Sequence, residues 1–127
     1  MGTAVNDSLI HYIIARRDLR PPRRFGNRLG VTSAQITHAA GESFAQFASL
    51  TRHAYVGSLI GNTTAIVLRV PDERALRLVE RRLLKHDIQH VAVREPDPPW
   101  NGQLMTIGLW PMRRDAVPTF FSKLKLL

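Results

Sequence analysis

Leu9-Ile10-His11-Tyr12-Ile13-Ile14-Ala15 is the stretch that decides the fold. It is a short run of apolar, β-branched and aromatic residues, and it reads as a buried strand. A loop rich in Arg, Pro and Gly follows. Beyond it, Val31 to about Leu50 is rich in Ala and reads as a helix, with Thr32 or Ser33 as the natural N-cap. Residues 51–64 show no clear period. Ala65 to Val70 is a second strand. Pro71-Asp72-Glu73 opens a second helix, capped by Asp72 or a neighbour. Leu76, Val79, Leu83 and Leu84 form its inner face, and Arg74, Arg77, Arg81 and Lys85 an outer, solvated one. Gln89 to Arg94 is a third strand, Glu95 to Gly102 a Pro-rich loop, and Leu104 to Leu109 a fourth strand. Asp115 is expected to cap a short last helix that packs Val117, Phe120, Phe121 and Leu124 inward.

The expected order is β–α–β–α–β–β–α. Strands joined through a helix favour right-handed crossovers to parallel neighbours. The short loop before the fourth strand allows an antiparallel one. The expected fold is α/β: a single-domain α/β/α sandwich over residues 1–127 with a four-stranded mixed sheet.

The 127 residues are enough to bury a core without covalent staples. Cysteine is absent, which removes disulfides, thiolate metal ligands and a cysteine nucleophile, and fits a cytoplasmic location. No apolar run approaches the ~18 residues of a membrane span. The first residues lack the pattern of a signal peptide.

Charge is more informative. The chain carries +8, with 15 Arg against 3 Lys. Arg16, Arg17, Arg20, Arg23, Arg24 and Arg28 crowd into thirteen residues, opposed only by Asp18, and this segment supplies +5 of the total. The planar guanidinium fork suits phosphate. Residues 19–30 therefore read as a basic loop able to follow an RNA backbone, the alternative being a surface loop with no partner.

Four motifs, in order, carry a resemblance. The first strand ends Arg16-Arg17-Asp18-Leu19. The first helix opens Gly30-Val31-Thr32-Ser33-Ala34-Gln35-Ile36-Thr37-His38-Ala39. The fourth strand reads Gly102-Gln103-Leu104-Met105-Thr106-Ile107-Gly108-Leu109-Trp110-Pro111, and the chain finishes Leu124-Lys125-Leu126-Leu127. The chain resembles the type-2 (archaeal and eukaryotic-type) peptidyl-tRNA hydrolases over nearly its whole length. The resemblance implies hydrolysis of the ester between a peptide and the 3′ end of tRNA, no metal or organic cofactor, tRNA as partner, and a possible homodimer. The departures are specific. The family's helix lysine falls on Val31, and its two strand threonines on Gln103 and Met105. Its acidic position after the third strand matches only Glu95, loosely, and the basic loop is six residues longer than usual. The divergent peptidyl-tRNA hydrolase domain-containing branch looks closest. A non-catalytic tRNA- or RNA-binding module that kept the fold is the alternative.

Ester hydrolysis needs a polarised carbonyl, a placed water and a proton acceptor. Gln35, His38 and Glu42 recur at helical spacing. Gln35 can donate its amide to a carbonyl or oxyanion, or satisfy a loop backbone. His38 can take a proton near neutral pH, or sit as a core histidine. Asp18, at the C-terminal end of the first strand, can orient a water or a cation. Glu95 reads equally as a base and as a turn-capping acid. Arg28, nearest to Val31, is the expected replacement for the missing lysine charge. Trp100 can stack on a base or anchor its loop. His38 with Glu42 is too few ligands for a metal.

Overall fold

The computed structural model describes residues 9–20, 27–50 and 63–127. Strand β1 runs Leu9–Arg16 and helix α1 Arg28–Leu50. Strand β2 follows at Thr63–Val70 and helix α2 at Glu73–Lys85. Strands β3, His90–Glu95, and β4, Gln103–Leu109, come next. The chain closes with a two-residue strand β5, Met112–Arg113, two 3-10 turns at Arg114–Ala116 and Thr119–Lys123, and a two-residue strand β6, Lys125–Leu126.

The architecture is the expected α/β one, with a mixed sheet of six strands rather than four. Its order is β3-β4-β1-β2-β6, with β5 also paired to β1. β1 and β2 are parallel along their whole length, as a helical crossover requires, while β4 lies antiparallel to both β1 and β3. The two added strands are short. β5 continues the line of β4 along β1 after Pro111, whose missing N–H cannot donate to the ladder. β6 covers the outer side of β2.

The two helices pack on opposite faces. On one, Leu76, Val79 and Leu83 of α2 bury against Ile14, Leu68, Leu104, Ile107 and Leu109. Leu84, expected on that inner face, is 66% exposed, since it lies about 100° around the helix from Leu83. Asp72 caps α2 as expected, its Oδ1 accepting from Ala75 N at 2.9 Å.

On the other face α1 buries Thr32, Gln35, Ala39, Ser43 and Phe47, a mostly small and polar stripe. Gly108 makes that close approach possible. A Cβ there would stand 2.7 Å from Ser43 Oγ and 2.8 Å from the Ala39 carbonyl carbon, with the Ala39 oxygen closer still. Beneath Ser43, His11 Nε2 lies 2.8 Å from its Oγ. Burial lowers the pKa of His11 below its ordinary 6.5, partly offset by a bond to the Leu109 backbone.

Two end points differ from expectation. The N-cap of α1 is Asn27, whose Oδ1 accepts from Gly30 N at 2.9 Å, not Thr32 or Ser33. The last helix is replaced by the two 3-10 turns, the first of which has no side-chain cap, so Asp115 does not play that role. Phe121 is still buried there, edge-on to Tyr12 at 5.0 Å.

Candidate functional site

The C-terminal end of β1 gathers Arg16, Asp18 and Arg28, with Glu95 on the neighbouring strands. Arg16, the last residue of β1, is 6% exposed rather than displayed on the loop. Its Nε donates to Asp18 Oδ1 at 2.8 Å and its Nη2 to Asp18 Oδ2 at 3.1 Å, a bidentate pair. Its Nη1 donates to Gln103 Oε1 at 2.8 Å and to the Leu104 carbonyl at 3.1 Å. The guanidinium thus ties the end of β1 to the start of β4. Glu73, the first residue of α2, joins that helix to the same strand by accepting from Leu104 N at 2.8 Å.

Gln103, in the place of a family threonine, is therefore a structural acceptor for Arg16. It pairs across the sheet with Glu95, so the two side chains share a face. Glu95 is half-buried, and its Oε1 accepts weakly from Asp97 N at 3.3 Å. A bulge between Val93 and Arg94 leaves Met105 as the extra residue of β4. Thr106 is fully buried and spends its hydroxyl on the Ile14 carbonyl at 2.9 Å. Gly102 turns the chain into β4 at φ +89°, which an L side chain rarely adopts.

The start of α1 leans over the same end of the sheet. Arg28 Nη2 donates to the Arg17 carbonyl, so the first helical residue touches the residue before Asp18. No acidic side chain lies in the first turn, so its partial positive charge adds to that of Arg28. Val31 is half-buried one turn on.

Gln35 follows from the packing already described. Ser43 is level with His11. Eight helical residues back span about 12 Å, close to the ~13 Å of four strand residues. Because α1 runs back along β1, Gln35 comes level with Ala15, whose partner on β4 is Thr106. Gln35 is 8% exposed as a residue. Among the described residues its amide has no hydrogen-bond partner. The one buried unpartnered side-chain atom there is Arg69 Nε, so the Gln35 amide keeps contact with solvent. Among these residues it is a donor that the fold does not use.

Other expected residues add no side-chain hydrogen bond to this cluster among the described residues. His38 and Glu42 are exposed, unlike Gln35, and make no side-chain bond to this cluster among the described residues. Trp100 is half-buried in the β3–β4 loop, with backbone bonds to Asp97 and Gln103. Arg17 and Arg20 are exposed, while Arg23 and Arg24 lie outside the described residues. Among the described residues no three His, Asp or Glu side chains gather as metal ligands. No helix there is long and apolar enough to cross a membrane.

Sequence reading missed Gln103 and Glu73 as parts of this end of the sheet. Glu73 carries no signal beyond being the first acid of a helix. Gln103 stands where the family has threonine, and only the fold reveals its partner 87 positions away.

A family model described as peptidyl-tRNA hydrolase PTH2 matches residues 9–127. No curated protein matches the chain. The match spans every element from β1 to the last residue, including the Arg16–Asp18 strand end, the α1 stripe and the Gly102–Pro111 run. The chain belongs to the peptidyl-tRNA hydrolase PTH2 family.

Proposed function

We propose that this protein hydrolyses the ester joining a peptidyl or N-blocked aminoacyl group to the 3′ end of tRNA, acting in the cytoplasm without a cofactor. The observation that carries the reading is the Gln35 amide, unpartnered among the described residues and level with the C-terminal end of β1, the edge where open α/β sheets bind ligands. In this reading Gln35 donates to the ester carbonyl and, more strongly, to the oxyanion that forms when water attacks its carbon. A proton leaves the water for a base. The C–O bond to the ribose then breaks, and the ribose oxygen takes a proton.

Glu95 is the better base. Both Asp18 oxygens already accept from Arg16, whereas Glu95 accepts one long bond and keeps lone pairs for a water. Asp18 and Arg16 act as positioning residues that hold β1 and β4 in register. His38 is a second acceptor, reachable from the solvent side of α1. Arg28 supplies the positive charge that Val31 lacks, steadied by its bond to Arg17. Arg17, Arg20, Arg23 and Arg24 hold the tRNA phosphates, and Trp100 stacks on a base of the single-stranded end. Homodimer formation is compatible with these roles but not needed for them.

One observation favours a second reading. The family lysine is replaced by uncharged Val31, which suits a module that binds tRNA without cleaving it. Incubating the purified protein with peptidyl-tRNA separates the two. Release of free peptide and deacylated tRNA is the expected result. Retention of intact peptidyl-tRNA in a stable complex would establish the second reading.

A further inference from the structure

A cleft of about 500 Å³ lies on the α2 face of the sheet, between α2, the end of β2 and the C-terminal 3-10 turn. The residues argued to act on the ester are not among those lining it, and of the residues assigned to the tRNA phosphates only Arg17 stands at its rim. Its volume is that of a small-molecule site. Its floor is apolar, built from Ala75, Leu78, Phe120 and Leu124, and Leu78 is 50% exposed there. Around the floor stand five cations, Arg17, Arg69, Arg82, Lys123 and Lys125, and no carboxylate lines the cleft. None of the five forms an ion pair among the described residues. Arg69 also holds the one buried side-chain nitrogen there with no partner.

The geometry points to a second binding site, for a small amphiphilic carboxylate whose apolar body fills the floor and whose head engages the arginines. Five uncompensated cations around one concave surface repel one another, and an anion relieves that repulsion. Arg82 lies over the Phe120 ring at 5.1 Å, a cation–π contact that restrains its guanidinium. Its N–H edge is left free for two parallel bonds to a carboxylate. The same stacking disfavours an RNA occupant. A nucleobase needs an open aromatic face, and Arg82 already covers one face of Phe120 while Phe121 stands edge-on at 4.9 Å.

The test is a titration of the full chain with octanoate, octanol and acetate, followed by amide chemical shifts. Octanoate is expected to move the signals of α2 and the C-terminal turn, and to bind at least about tenfold tighter than either octanol or acetate. Arg82→Gln is expected to weaken octanoate by about tenfold, the loss of one charge-assisted bond. Leu78→Asn, exposed and outside the core, should weaken octanoate and leave acetate as it was. Equal binding of octanol and octanoate, or an unchanged octanoate affinity in a folded Arg82→Gln variant, would overturn the assignment. So would shifts of these signals by tRNA with no response to octanoate, which would make the cleft an RNA surface.

Discussion

Replacing Gly108 with Ala tests how α1 is seated. The added methyl would lie 2.7 Å from Ser43 Oγ and 2.8 Å from the Ala39 carbonyl carbon, against ordinary contacts of 3.4 Å or more. Ser43 can rotate, but the Ala39 backbone cannot. Helix α1 must therefore retreat from the sheet by roughly 0.6 Å or more, loosening the whole stripe from Gln35 to Phe47. Overpacking of this kind costs about 3 kcal/mol when no side chain can yield. At about 4 °C per kcal/mol for a chain of this size, Tm should fall by about 12 °C. Gly41 in the same helix has open space within 4 Å of where a Cβ would stand, so Gly41→Ala should raise Tm by about 4 °C through helix propensity alone. Thermal unfolding followed by circular dichroism measures both. A Gly108→Ala protein melting within about 2 °C of the parent would refute the proposed packing of α1 on β4.

Three further outcomes follow from particular contacts. Asp18→Ala should destabilise the fold by about 2 kcal/mol in urea unfolding, because it strands the nearly buried Arg16 guanidinium while Asp18 itself is only partly buried. His11 has a folded pKa below 6.5, so the unfolded chain takes up its proton first. Stability should be full above about pH 6.5 and decline as pH falls through the lowered value, and His11→Gln should lose that part of the decline in unfolding measured across pH. Replacing Arg20, Arg23, Arg24 and Arg28 together with Ala should flatten the salt dependence of tRNA affinity by up to about four units of slope, measured by filter binding. An unchanged slope would remove this loop as the main phosphate contact.

Much of the fold was legible because its signals are local. Leu9–Ala15 is an unbroken β-branched run, and Asp72 stands before an apolar stripe, so β1 and α2 announce themselves. The start of α1 was less so. Asn27 sits in a loop of turn residues and precedes two residues with no helical period, while Thr32 and Ser33 offer a stronger local cap. β5 and β6 are two residues each and have no periodicity to read. The C-terminal turns have the apolar spacing of a helix and the bonds of a 3-10 turn, with Phe121 packed on Tyr12. The site followed the same division. Asp18 and Gln35 were visible through motifs. The burial of Arg16 was not, since its acceptors on β4 are 87 and 88 positions away.

Gln35 is proposed to stabilise, through its amide, the oxyanion of an ester on tRNA. Single-turnover hydrolysis of N-acetyl-aminoacyl-tRNA by the parent and by Gln35→Ala tests it most directly, with circular dichroism as a check on folding. The expected result is a folded variant with tRNA affinity near that of the parent and a rate lower by about 10²–10³-fold. A folded variant that hydrolyses the ester at the parent rate would contradict it.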